Sequence, residues 1–403
     1  MRGLIILVGC CVMSTGCLGP EAIKRTRLRY NEAFRSTNDE QILLNIVRLR
    51  YADSPVFIDL PNITGQFEAT ARGGFSGGVD GQGPGPTRLG IGEIFLRDAP
   101  TLSYHPRDGQ EMGRALVTPL TAELLRLVSP GSNTEQFLKM AVNDINDVPN
   151  APLATSLVPK APDENGRFRH GVDQLVALQQ RGAAELSIAT YDTDAYDPIP
   201  LSQVRGQDAL AAVKDGYVFR TSGSQALLKK REKIVVLKIR PEEVESFEAQ
   251  ELVRTFNLRP HQALYKIRSE AAEEEQPDAL PSALGGGDTI VLNMRSTLQI
   301  MTFLAKGVCV PEEHVLNGIA PTTPGPDGRP FNWTQVTTGL FRVTSQKHRP
   351  RNADTAVQYK GYWFAIEAND VDSRAVLAIL EILLALQDAE QSQRGPLLTL
   401  PVN

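Results

Sequence analysis

Three of the four cysteines, Cys10, Cys11 and Cys17, fall within the first 17 residues and leave Cys309 alone in the rest of the chain. If the opening segment directs export, the mature protein enters an oxidising space with no means of forming an internal disulfide. Its core then has to be held by burial alone. With 403 residues, 41% of them hydrophobic, the chain can bury a sizeable core, and two domains suit its length better than one. In "KGVCVPEE", Cys309 stands between valines, the setting of an inert buried thiol rather than a nucleophile. The early cysteines have no second pair at zinc-finger spacing, so no metal site is expected there.

Arg2 is the only charge before Glu21, Leu4 to Met13 is apolar, and Ser14, Thr15 and Gly16 are small. That order of charge, apolar run and small residues is what export machinery recognises. The run is shorter than the roughly 20 apolar residues needed to span a bilayer. The stretch resembles a bacterial lipoprotein precursor, in which a small residue precedes a cysteine that is acylated and becomes the new N-terminus. The resemblance implies a signal peptide over residues 1–16 and a fatty acyl group such as palmitate on Cys17. Ser14 departs from the aliphatic residue usual at its position; Leu7-Val8-Gly9-Cys10 fits the pattern better but leaves too little apolar length before it. Leu18 follows Cys17 where lipoproteins retained in the inner membrane often carry Asp, which implies the periplasmic face of the outer membrane.

Beyond Cys17 the chain turns locally basic. Lys24, Arg25, Arg27, Arg29 and Arg35 oppose only Glu21 and Glu32, so a tethered segment carries positive charge to an anionic membrane surface, each charge contributing up to about 1 kcal/mol. Overall the formal charge is −5, which gives no basic field for nucleic acid. In "STNDEQILLNIVRLRY", Ser36 and Asp39 read as a helix start, and Ile42, Leu43, Ile46, Val47 and Leu49 supply its apolar face.

A wider likeness covers most of the chain. "RYNEAF", "LLNIVRLRYADSPVF", "TLSYHP" with "TPL", "NMRSTLQIMTFLAKGV" and "YKGYWFAIEANDVDSRAVLAIL" together resemble an uncharacterised family of bacterial envelope lipoproteins. The resemblance implies the compartment and supplies no activity, cofactor or catalytic residue.

Between Val56 and Tyr104, two alternating runs flank "RGGFSGGVDGQGPGP", with nine glycines from Gly73 to Gly92. Ile63, Gly65, Phe67, Ala69 and Ala71 alternate with Thr64, Gln66, Glu68 and Thr70, which gives a long Gly-rich β-hairpin with one apolar face. A half-buried soluble sheet has this pattern, and so does one subunit's share of a membrane barrel. Gly74-Phe75-Ser76-Gly77-Gly78 matches the hydrolase pattern G-x-S-x-G, but glycines on both sides cannot hold the strained strand-to-helix turn that exposes such a serine.

Downstream, Ser132 and Glu135 read as the start of a helix through "FLKMAVNDIN", and Pro149 to Pro162 as a linker. Strands are expected at "ELSIATYD", "YVFRTS", "KIVVLKIR", "HQALYKIR" and "TIVLNMR", and as a pair at "NWTQVTTGLFRVTSQ" and "TAVQYKGYWFAIE". Helices are expected near 201–214, 241–256 and 296–307, and a buried one over 375–386. "PLLTLPV" reads as a short terminal strand. The fold class is therefore α+β, with mixed helices and mainly antiparallel sheets. Its expected segments are a signal at 1–16, anchor and N-terminal helices at 17–53, a hairpin and helical domain at 54–150, and an α+β domain at 163–403 with a surface loop at 270–287.

Chemical constellations are sparse. Asp192, Asp194 and Asp197 lack the turn glycine and terminal glutamate of an EF-hand. His105, His170, His261, His314 and His348 are scattered, and "PEEHV" sets Glu312, Glu313 and His314 side by side, where adjacent residues seldom converge on one metal. The basic clusters Lys229, Lys230, Arg231, Lys233 and Lys347, His348, Arg349, Arg351 carry no interleaved aromatics for base stacking. No catalytic residue, metal or cofactor is expected. The pattern suits a non-catalytic scaffold of an envelope complex, partnered by envelope proteins or by its own copies and tied to the membrane by lipid. An oligomeric pore or secretion subunit using residues 56–104 is the second reading, and a periplasmic enzyme with an assembled site is the third.

Overall fold

The computed structural model describes residues 18–64, 67–72, 93–98, 101–106, 110–128, 134–156, 158–162, 165–194, 198–269 and 287–391. The three early cysteines, the G-x-S-x-G match, Asp197, most of the acidic loop and the terminal "PLLTLPV" lie outside them. By its contacts the chain divides into two units, Val56–Met112 and Met1–Pro55 with Gly113–Asn403.

The smaller unit is the expected hairpin. β1 (Ile58–Thr64) pairs antiparallel with β4 (Thr101–Pro106), and β2 (Phe67–Arg72) with β3 (Glu93–Asp98). Thr64 opposite Thr101 and Phe67 opposite Asp98 keep one register through both ladders, and the single irregularity falls between Asp59 and Asn62. A two-residue side-chain period fixes which positions share a face, so this register matters. It sets Ile63 opposite Leu102, Ala69 opposite Leu96 and Ala71 opposite Ile94, with Glu68 opposite Arg97 and Arg72 opposite Glu93.

In the larger unit, α1 (Leu18–Arg50) precedes the hairpin. After it come α2 (Gln110–Val117), α3 (Glu123–Val128), α4 (Thr134–Ala141), β5 (Val142–Ile145), β6 (Val148–Pro149) and α5 (Gly166–Gln180). Next are β7 (Ala184–Asp194), β8 (Ile199–Pro200), α6 (Gly206–Lys214), β9 (Tyr217–Ser222), β10 (Gln225–Ile239), α7 (Phe247–Thr255), β11 (Leu264–Ser269) and β12 (Thr289–Met294). The chain closes with α8 (Thr297–Leu304), α9 (Glu312–Leu316), α10 (Thr334–Thr337), β13 (Thr344–Gln346), β14 (Ala353–Tyr359), β15 (Tyr362–Glu367) and α11 (Val371–Gln391).

One sheet runs β6-β5-β12-β11-β10-β7, with β8 and β9 also on β10; β13-β15-β14 form another. All of these pairs are antiparallel except β11 with β12, so the chain is α+β as its sequence implies. β11 and β12 each bury every second residue, including Tyr265, Ile267, Ile290 and Leu292, because helices cover one face of the sheet. That cover comes from Leu125 of α3, Leu138 of α4, Leu175 of α5 and Leu252 of α7, which close with the strands around an apolar void of about 30 Å³. α11 buries Val376, Ile379, Leu380 and Leu383 and packs on α1 and α4.

Five expectations are corrected. Ser36 does not start a helix, because α1 is already under way from Leu18. The helix expected through "FLKMAVNDIN" stops at Ala141, whose carbonyl accepts the backbone N–H of Arg295 at 2.7 Å, and the chain turns into β5 beside β12. Residues 332–343 contain the short helix α10 rather than a strand. "TAVQYKGYWFAIE" is itself a hairpin, turned at Lys360 and Gly361, whose φ values of 44° and 82° suit the paired left-handed residues of a two-residue loop. The Pro-rich stretch near 149–162 runs within the larger unit, where Ala151 and Ala154 are buried and β5 and β6 share a sheet with strands from the C-terminal half.

Candidate functional site

α1 changes character along its length. Residues 27–37 are exposed apart from Tyr30 and Phe34, whereas Ile42, Leu43, Ile46 and Val47 are at most 4% exposed. Helical spacing puts apolar residues three and four apart on one face, and here only the C-terminal half has such a face to bury. Cys17 lies one residue before the described chain, Lys24 and Arg25 fall on α1, and Arg27 and Arg29 are exposed on it. At 3.6 residues per turn, positions 25 and 29 share one side of the helix and positions 24 and 27 another. The four positions are therefore spread around the helix rather than aligned in a single stripe.

Where α1 enters the core, Asp39 is 8% exposed and lies near Glu381 of α11, while Arg35 reaches it at 3.6 Å. Burial, and then Glu381, raise its pKa above the ordinary carboxylate value. A raised folded-state value means that stability falls as pH climbs from the unfolded carboxylate range through the folded one. Asp39→Asn is expected to raise the melting temperature at pH 7 by about 1–2 °C and to flatten that part of the pH dependence. Equal melting of the two proteins across pH 3 to 7 would refute it.

Two motifs far apart in sequence, "RYADS" and "YKGYW", meet in space. The Tyr51 hydroxyl and His314 Nδ1 are 2.7 Å apart, and the Tyr51 ring meets those of Tyr359 and Phe364 at 5.6 and 6.0 Å. Tyr359 donates to Asp53 at 2.5 Å, and Lys360 pairs with the same carboxylate at 3.0 Å. Those two contacts hold the Asp53 carboxyl below its usual range. Burial pushes the Tyr51 phenol up to about 12, and burial with the Asp53 hydrogen bond does the same for Tyr359. Both stay neutral at any physiological pH. On the rim, Tyr362 donates to Glu313 at 2.7 Å and Lys347 donates at 3.0 Å, with the Lys347 ammonium 4.0 Å over the Tyr362 ring. The cluster clamps the β14–β15 turn and α9 onto the end of α1.

A cleft of about 380 Å³ opens between the 334–342 segment and the start of α11, lined by Cys309, Thr337, Thr338, Arg342, Asp370 and Ser373 among others. Its volume is within the range of small-ligand pockets. Asp370 caps α11 by accepting the Ser373 N–H at 3.0 Å, and the Ser373 hydroxyl donates to the same carboxylate at 2.7 Å. Ser373 Oγ also accepts the backbone N–H of Arg342 at 2.8 Å. A serine nucleophile needs a base that can take its proton, and here the partner is the helix-capping carboxylate. Cys309 lies on the wall of this cleft and is half-exposed, not fully buried as its valine neighbours suggest.

The histidines are not brought together: His170 faces Glu251 at 3.5 Å, His261 pairs with Glu245, and His314 belongs to the tyrosine cluster. Among the described residues no three His, Cys, Asp or Glu side chains group as metal ligands. Asp192 and Asp194 fall on β7 opposite Arg231 and Lys229 of β10, so the acidic and basic clusters of the sequence are neighbours on adjacent strands. Of the second basic cluster, Lys347 is paired with Glu313, and Arg349 lies 5.2 Å over the Trp363 ring.

Arg295 carried no visible signal in the sequence, yet it is wholly buried. It donates to Asn143 Oδ1 at 3.0 Å, to the carbonyls of Lys139 and Met140 at 3.3 and 2.9 Å, and to that of Asn150. Its guanidinium also lies 4.0 Å over the Phe303 ring. Burial pushes its pKa down to about 9, which leaves it a cation at neutral pH. It holds the C-terminal carbonyls of α4, where the helix dipole is negative. No helix among the described residues is long and apolar enough to cross a membrane.

Comparison with protein-family models, with curated proteins and with solved structures finds no match.

Proposed function

We propose that the protein is a bacterial envelope component acylated on Cys17 and held at the periplasmic face of the outer membrane, where it acts as a non-catalytic scaffold of a membrane-associated complex. One observation carries the reading: from Leu18, the first described residue, α1 runs unbroken until its last turns are buried in the core. A lipid on Cys17 would thus be coupled to the folded body by a helix. From Leu18 to Asn38, where burial begins, such a helix spans about 30 Å. Positions 24 to 29 lie about 10–18 Å along such a helix from Cys17, so Lys24 and Arg25 would stand nearest the headgroups, and the screening length of about 8 Å at physiological salt would weaken the attraction of Arg27 and Arg29 more. Likeness to a family of envelope lipoproteins is part of the same proposal.

Metabolic labelling with radioactive palmitate tests the anchor. Label in the native protein and none in Cys17→Ala is the expected result, with the variant shifted from the membrane to the soluble fraction. Label of equal strength in both overturns it.

The single register kept through β1–β4 and β2–β3 favours a second reading, in which several copies each contribute this hairpin to a closed barrel. A monomeric mass in detergent would dismiss that reading and leave the scaffold.

A further inference from the structure

Two half-buried cations stand together without a counter-charge. Arg50 ends α1, and α1 packs on the tight turn Ala305–Gly307 that carries Lys306. Arg50 donates to the carbonyl of Pro321 at 2.6 Å. The Lys306 ammonium lies 5.4 Å over the Trp333 ring, whose Nε1–H is committed to Thr323 at 3.0 Å. Among the described residues no carboxylate pairs with either cation: the ionisable groups that bear on Arg50 are Tyr51 and Cys309, and the one that bears on Lys306 is Arg50. Burial, and then the field of Arg50, bring the Lys306 pKa down to about 8. Among the described residues the fully buried cations are compensated: Lys139 by Glu135 and Asp173 at 2.5 and 3.2 Å, and Arg295 by three carbonyls and an amide oxygen. Charges withdrawn from water are normally paired, because the desolvation penalty otherwise stands unopposed. The indole beneath Lys306 supplies only the weak attraction of a ring face.

We propose that Arg50 and Lys306 form an oxyanion site that takes a phosphate-class group, with Arg50 offering its remaining N–H donors as a fork and Lys306 a point charge. The phosphate could belong to a soluble molecule or to a lipid headgroup. The site is independent of the anchor, so its failure would leave the reading of Cys17 untouched.

The full mature chain in detergent is melted in low-salt buffer with chloride, with inorganic phosphate at equal ionic strength, or with phosphatidylglycerol vesicles. Phosphate should raise the melting temperature by several degrees over chloride. Lys306→Met should abolish that rise, and without phosphate it should melt above the native protein, since an uncompensated charge has been removed. Lys306→Gln serves as the second variant should the methionine form not fold. A rise with both phosphate and vesicles, or with phosphate alone, identifies a soluble phosphate as sufficient; a rise with vesicles alone, lost in the variants, identifies a lipid headgroup. Native melting unmoved by either probe, or a shift that persists in both variants, overturns the proposal.

Discussion

Arg295→Met is expected to lower the unfolding free energy by about 3–5 kcal/mol, and Arg295→Lys to recover little of it. Removing the guanidinium leaves the carbonyls of Met140 and Asn150 and the Asn143 side chain with unmet acceptors in the dry interior; the Lys139 carbonyl keeps a bond from Asn150 Nδ2 at 2.8 Å. Methionine matches the length and apolar contact with Phe303 and returns none of those donors. Lysine has three donors on a single nitrogen and cannot reach acceptors that lie around a planar fork. Replacing a buried ion pair by apolar residues is sometimes harmless, but here the partners are backbone groups that no substitution removes. Denaturant midpoints at constant slope measure the effect. A lysine variant as stable as the native protein would show that the charge matters and the fork does not.

Gly307→Ala is expected to be nearly as damaging, at about 3 kcal/mol. A β-carbon built on Gly307 would stand 2.3 Å from the carbonyl oxygen of Phe341, which is backbone and has no rotamer to move. The approach is that close because Val308 bridges Val343 in parallel, Val343 donates to the Gly307 carbonyl at 3.1 Å, and Cys309 donates to that of Val343 at 2.9 Å. Since Cys309 also walls the cleft, the variant should change the rate at which a thiol reagent modifies that residue in the folded state. Loss of stability with no change in thiol reactivity would place the strain elsewhere.

Local pattern carried most of the fold. Residues with a clear two-residue or 3.6-residue period, such as those of β11, β12, α8 and α11, were legible because one face of each is buried and the other is not. The hairpin was legible from its two-residue alternation, and its register adds that opposed charges fall in line. What misled was context. Val142 to Ile145 continues the helical spacing of α4, and only a partner from the far end of the sequence, β12 with Arg295, turns it into a strand. α1 is longer than its apolar face suggests, because residues 27–37 carry only Leu28, Tyr30, Ala33 and Phe34 among polar neighbours, so the denser apolar spacing alone pointed to a beginning at Ser36. The prolines before Pro162 looked like a boundary, yet the sheet closes across them.

The chemistry was harder to read, since none of it lies in a contiguous motif. Arg50 is separated from Lys306 and Trp333 by more than half of the chain, and no local spacing marks a cation that lacks a partner. Likewise "RYADS" and "YKGYW" drew notice as family-like words, and their meeting around Asp53 accounts for them as a fastening between elements.

That one helix is largely exposed over residues 27–37 and interior beyond them means that its two ends can be disturbed separately. A protease cutting between Arg27 and Thr37 is expected to leave a folded body, because none of the side chains from Arg27 to Thr37 is fully buried. A cavity at Leu43 or Ile46 would do the opposite, leaving the chain whole but loosened from within.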